Sequence, residues 1–267
     1  MLCHGPGGTK EQLLPQISAN LCQAGYTVLR FDYRGWGESD GLRGRVVPAE
    51  QVEDIRSAVA FLGHQPGVDA RKVGVIGLAI GGSNALYAAA FDRSIKCVAV
   101  LSAIGDLGRW LRGRRPYWDW LKYEMKLADD RRQRVISGRS ELVEEIDFLV
   151  PDPKGMAEYQ RIATEHPELL KNLRFSLESV EALTEFQPER VVGRISPRAV
   201  IWFCAGDDRT VPIEESEGMY RMAGNPKKLI VLESTAHGEL YRGEGLQQVL
   251  LECDRWFKEH LSDSVKA

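Results

Sequence analysis

The chain has 267 residues, 43% of them hydrophobic, and a formal net charge of −3. Such a length and apolar content can bury one large core, and α/β chains of this size are commonly single domains. A near-neutral balance without a long basic run gives no electrostatic case for nucleic acid, and no stretch of about 18 apolar residues offers a membrane span.

Taken in chain order, helical patterning runs over residues 10–24 and stops at Gly25, after which residues 26–31 read as a buried strand. Val47-Pro48-Ala49 opens a second helix with Val52, Ile55, Val59, Ala60 and Leu62 on its inner face. An apolar strand from Val73 breaks into a glycine-flanked turn at 77–82, followed by the helical stretch from Ser83, and then by a strand at 97–102. Between 103 and 196 the alternation lapses into polar, helix-rich sequence, too long for a connecting loop. Strands at 199–204 and 228–232 flank a helix at 213–222, and an amphipathic helix at 246–261 closes the chain. Strands alternating with helices in this way predict a parallel sheet covered on both faces.

Five cysteines, Cys3, Cys22, Cys97, Cys204 and Cys253, are an odd number without regular spacing, and at least three fall in strands or apolar helix. They read as free thiols. With no charged segment leading into an apolar run at the N-terminus, a soluble cytoplasmic protein is expected. The densest basic cluster, Arg109, Arg112, Arg114 and Arg115, is interleaved with aromatic residues. It reads as a solvated helix face or, alternatively, as a rim that attracts an anionic substrate.

The stretch Gly77-Leu78-Ala79-Ile80-Gly81 has the strand-turn-helix setting of the nucleophile elbow G-x-S-x-G, with Ala79 where the serine belongs. Gly77 and Gly81 each remove a Cβ that so tight a turn would drive into neighbouring backbone. Four other segments follow a matching order. His4-Gly5-Pro6-Gly7-Gly8 resembles a His-Gly oxyanion loop, and Asp32-Tyr33-Arg34-Gly35-Trp36-Gly37-Glu38-Ser39 a D-x-R-G-x-G-x-S loop. Gly206-Asp207-Asp208-Arg209-Thr210-Val211-Pro212 resembles an acid loop, and Ala236-His237-Gly238 a histidine loop. On these residues, which span nearly all of the chain outside 103–196, the protein resembles the α/β-hydrolase superfamily. Within it the likeness is to capped serine hydrolases of the esterase, acyl-hydrolase or peptidase kind.

The resemblance implies an α/β-hydrolase fold, a mostly parallel sheet with helices on both faces. The core would be 1–102 and 197–267, and 103–196 a helical cap above the carboxyl ends of the strands, where ligands bind. Trp110, Tyr117, Trp118 and Trp120, with Tyr123 and Met125, are candidates for the pocket roof, or alternatively pack the cap onto the core. Family members carry two strands ahead of the His-Gly loop, whereas His4 here follows three residues. Either the true start lies upstream of Met1, or the first strands are missing from a truncated relative, which would leave 26–31 as an exposed sheet edge.

Acyl transfer needs a nucleophile, a base, a group that orients the base, and donors for the oxyanion. The resemblance assigns His237 as base and Asp208 as its orienter; Asp207 competes, but the spacing to Val211-Pro212 favours Asp208. Ile80 would give one oxyanion N–H. The position that would give the second is Pro6, which has none: either that donor is missing, or Gly5 or Gly7 substitutes in a shifted loop register. His4 is expected to be structural, as is Ser83, while Ser102 and Cys3 are the remaining hydroxyl and thiol near the site. No Cys/His metal spacing and no phosphate-binding glycine loop is present, so neither a metal nor a cofactor is expected. The reading is a hydrolase of an ester, thioester or amide in a form whose nucleophile is alanine. Its partner would be a small acyl substrate, not nucleic acid or membrane, with an oligomer compatible. Two alternatives stand beside it: a non-catalytic ligand-binding protein, and cofactor-free proton-transfer or lyase chemistry by the His237 and Asp208 pair.

Overall fold

The computed structural model describes residues 1–151, 153–165 and 173–262. The first half runs β1 (Leu2–Cys3), α1 (Leu14–Gln23), α2 (Pro48–Gly63), β2 (Val73–Leu78), α3 (Ile80–Phe91) and β3 (Ile95–Leu101). Next come α4 (Leu107–Gly113), α5 (Tyr117–Ser137), β4 (Leu142–Glu144), α6 (Glu145–Leu149), α7 (Pro153–Glu165), β5 (Arg174–Ser176) and α8 (Leu177–Thr184). The chain then returns through β6 (Ala199–Ala205), α9 (Ile213–Met222), β7 (Lys227–Leu232) and α10 (Gly243–Leu261).

Strands β2 and β6 are continuous apolar runs, and β3 is one from Cys97 onward, as strands buried on both faces must be. They lie at the centre of a five-stranded sheet in the order β1-β2-β3-β6-β7, parallel throughout. Successive side chains along a strand point to opposite faces. Val98, Val100, Val200 and Trp202 accordingly join one core with Ile55 of α2 and Leu86 of α3. Their neighbours Ala99, Leu101, Ile201 and Phe203 join a second core with Ile17 of α1 and Val249 of α10. The doubly covered sheet is the expected one.

Three expectations change. The first helix begins at Leu14 rather than Lys10, with Pro15 in its first turn and Leu13 at φ 51°. Residues 26–31 do not form a strand: one bridge, Leu2 to Arg30, joins them to the sheet, with the Leu2 N–H on Leu29 O at 3.0 Å. Their neighbour β1 is only two residues long and offers no further ladder. Finally, 103–196 is not purely helical, since β4 and β5 pair antiparallel, Val143 opposite Phe175.

All five cysteines are free, four of them buried and Cys22 exposed. Among the described residues no helix is long and apolar enough to cross a membrane, and no group of His, Cys, Asp and Glu could hold a metal ion.

Candidate active site

Strand β2 delivers the chain into a turn at Ala79, whose φ of 48° and ψ of −121° lie where a side chain is strained. Its N–H donates to Leu101 O at 2.9 Å, and its carbonyl accepts from Gly82 and Ser83 as α3 starts. A Cβ on Gly77 would sit 2.5 Å from the Cα of Gly82, and one on Gly81 would run into the His4 carbonyl. Both glycines are therefore sterically required. Ile80 is the first residue of α3, so its N–H has no acceptor within the helix. Ser83 is buried and engaged, its Oγ donating to Ile104 O at 2.8 Å.

Asp208 follows β6 and His237 follows β7, and the sheet order sets their loops side by side. The His237 Nδ1–H donates to Asp208 Oδ2 at 2.7 Å. Ser102, at the end of β3, donates its hydroxyl to the same oxygen at 2.9 Å. The N–H groups of Thr210 and Val211 each donate to Oδ1 at 2.8 Å. Burial would raise the Asp208 pKa, but the hydrogen bond and charge of His237, with the Val211 and Ser102 bonds, outweigh it and hold the group below its ordinary value. The carboxylate acts only as acceptor, so the Nδ1 position carries a proton and, in the neutral tautomer, Nε2 is the acceptor nitrogen. Asp207 is exposed, its N–H on Thr235 O. The bond from Ser102 was not foreseen; nothing local to Ser102 reveals a partner that lies beyond the whole 103–196 segment.

The loop from His4 to Gly8 turns back on itself, with the Gly8 N–H on Gly5 O at 3.2 Å. His4 donates from Nδ1 to Gly5 O at 2.8 Å and accepts the Tyr33 N–H on Nε2 at 3.5 Å. Burial lowers its pKa, so the ring stays neutral in a structural position. Gly5 lies beside the elbow, where a Cβ would be 3.8 Å from that of Ala79. Pro6 is in the turn and brings no N–H.

A cavity of about 1120 Å³ brings Gly5, Pro6, Ala79, Ile80, Trp110 and His237 to one surface. Its outer wall is made by Leu142, Ile146, Leu149 and Leu173, together with Glu145, whose carboxyl burial pushes up. The structure puts the other expected roof residues elsewhere. Tyr117 and Trp118 are exposed, and Trp120 is in the core with its indole N–H on Glu124 Oε1 at 2.7 Å. They sit on α5, which turns Trp120 and Leu127 inward and leaves Tyr117 and Trp118 in water. Met125 is also exposed. In the basic cluster Arg112 is exposed and Arg114 lines the cavity, while three of the four arginines are engaged by the protein itself. Arg109 forks onto Glu189 and Glu215, Arg114 binds backbone carbonyls of 149, 150 and 210, and Arg115 lies over the Tyr123 ring.

Residues 1–241 match the family described as serine aminopeptidase, S33. The chain belongs to that family. A 31.7 kDa Escherichia coli protein, described by its place in the traX-finO intergenic region, is 28% identical over 262 residues, covering 98% of this chain and 90% of its own. The thiohydrolase aneE of Aspergillus aculeatus is 26% identical over 271 residues, covering 98% and 85%. The solved α/β hydrolase GrgF from Penicillium sp. sh18 superposes with a TM-score of 0.80 at 25% identity, over 97% of this chain and 89% of that one. The fold of this S33 member is that of an α/β hydrolase. Its elbow, acid loop and histidine loop all leave the carboxyl ends of parallel strands, the edge of such a sheet where ligands bind.

Proposed function

We propose that the cavity binds the acyl group of an ester, thioester or amide, and that this chain has the hydrolase's apparatus with its covalent route blocked at Ala79. In this reading His237 is the base and Asp208 its orienter. Ile80 N–H receives the developing oxyanion, with Gly5 or Gly7 supplying a second donor in place of Pro6, and Trp110 meets the substrate. Residues 103–196 form the cap, and 1–102 with 197–267 the core. The free cysteines fit a reducing, cytoplasmic setting. Likeness to a protein named as a thiohydrolase favours thioesters among the acyl donors.

The observation that carries the proposal is Ala79 in the turn after β2, lining the same cavity as His237, whose Nδ1 is held by Asp208. Loss of a triad nucleophile alone can cost about 10⁶ in turnover. The chain should therefore neither turn over p-nitrophenyl butyrate by a burst nor be labelled by a fluorophosphonate, and Ala79→Ser should acquire both properties. Labelling of the unaltered chain that disappears on changing Ser102 or Cys3 would sink the proposal, because the nucleophile would then have moved. A second reading, a ligand-binding protein without turnover, draws on the same alanine. It is favoured if Ala79→Ser binds acyl ligands and stays inert.

A further inference from the structure

His237 is an imidazole oriented by Asp208, and no described hydroxyl or thiol of the protein is hydrogen-bonded to it. Its Nδ1 is held by Asp208, which is itself held by three donors, while among the described residues Nε2 has no hydrogen-bond partner. Ala79, with its methyl, lines the same cavity as His237. The nearby hydroxyls and thiol are committed or inert. Ser83 bonds Ile104 and Ser102 bonds Asp208; burial pushes the Cys3 thiol up to about 12 and raises the Tyr241 phenol well above its ordinary value. An imidazole so placed is free to act on a proton that a ligand brings.

We infer that the proton comes from the hydroxyl of a second, organic ligand, so that the chain catalyses direct acyl transfer from a thioester or ester to an alcohol, without an acyl-enzyme. The inference rests on the acyl-binding reading above. The alcohol O–H bond breaks, its proton passing to Nε2, while the oxygen forms a C–O bond with the acyl carbon. The carbonyl electron pair moves onto the oxygen that faces the Ile80 N–H and then returns, expelling the thiolate or alkoxide. That leaving group takes the proton from Nε2–H. The products are a new ester and a free thiol or alcohol, and nothing is oxidised or reduced.

Two features favour an alcohol over water. The cavity, at about 1120 Å³, exceeds the roughly 300–1,000 Å³ that usually encloses a single ligand. Leu142, Ile146, Leu149 and Leu173 also line it with apolar surface that suits an organic acceptor. An acceptor held beside the acyl carbon can reach an effective molarity of about 10⁵–10⁸ M, which offsets much of what the missing nucleophile would have contributed.

The test uses the unaltered chain with butyryl-N-acetylcysteamine as donor and 1-hexanol, benzyl alcohol or glycerol as acceptor. Donor binding is measured by calorimetry, and products by mass spectrometry. Expected are ester formation exceeding release of butyrate, initial rates that intersect as for a ternary complex, and an unmodified protein mass. His237→Ala should lower ester formation by about 10²-fold or more, the range for a general base, with Asp208→Asn as an independent second variant and melting curves for both. A donor that binds but gives no ester above the His237→Ala level with any of the three alcohols overturns the inference and leaves the acyl-binding reading intact. Butyrate as the only product, or a butyryl adduct on the protein, also overturns it. A donor that does not bind overturns both.

Discussion

Ala79 turns the chain from β2 into α3 with a backbone in which any side chain is strained. Its φ of 48° is costly for any residue with a Cβ, about 1–3 kcal/mol, and it is imposed by the end of β2, the Leu101 carbonyl and the start of α3. Ala79→Gly should therefore stabilise the protein by about 1 kcal/mol, the relief of strain exceeding the extra entropy glycine has when unfolded. The check is the urea midpoint at unchanged slope. A lower midpoint would mean that the turn holds alanine without strain.

Among the elements, α4 ties the acid loop to the cavity wall. Trp110 Nε1 and Arg114 Nη1 both donate to Thr210 O at 2.8 Å, and the N–H of that same Thr210 holds Asp208. Arg114 Nε reaches the carbonyls of Leu149 and Val150 on the other side, both at 2.8 Å, where Val150 sits at φ 43° and ends α6. A planar guanidinium can serve these carbonyls together and an ammonium cannot. Arg114→Lys is expected to cost about 1–3 kcal/mol of stability, the range for hydrogen bonds to a charged group. In the Ala79→Ser background it should also lower ester turnover. Tyr117→Ala and Trp118→Ala, on the exposed first turn of α5, should change stability by less than about 0.5 kcal/mol. Chemical denaturation and steady-state assays of the three variants check the contrast; equal effects would show that Arg114 holds nothing in place.

Across the whole molecule, the sheet is strongly paired at its centre and weakly at the β1 side. β2 and β3 are hydrogen-bonded to neighbours along their full length, whereas residues 26–31 meet the sheet at one bridge. Amides 27–29 should exchange with deuterium at least about 10²-fold faster than those of β3, because opening them requires no loss of core pairing. Hydrogen exchange read by mass spectrometry tests this. Exchange as slow as that of β3 would mean that the segment is paired with another copy of the chain, as an open sheet edge invites.

What the sequence determined by itself is whatever a short stretch can encode. Continuous apolar runs make β2, β3 and β6 buried strands, and the spacing of Gly77 and Gly81 around Ala79 makes a turn that tolerates no Cβ. Asp208 and His237 could be expected to meet because each directly follows a strand, and parallel strands bring their carboxyl ends to one edge. Residues 26–31 have the composition of a strand, but a strand also needs a partner, and β1 supplies one bridge. Only the tertiary structure decided the roof. Trp110 faces the cavity while Tyr117, Trp118 and Trp120 do not, since the docking angle of α5 and not its composition selects the inward side chains. The wall came from Leu142, Ile146, Leu149 and Leu173, which lie on or beside elements too short to show a period. Ser102 likewise meets Asp208 across 106 residues, a contact made by the sheet order and not by any local pattern.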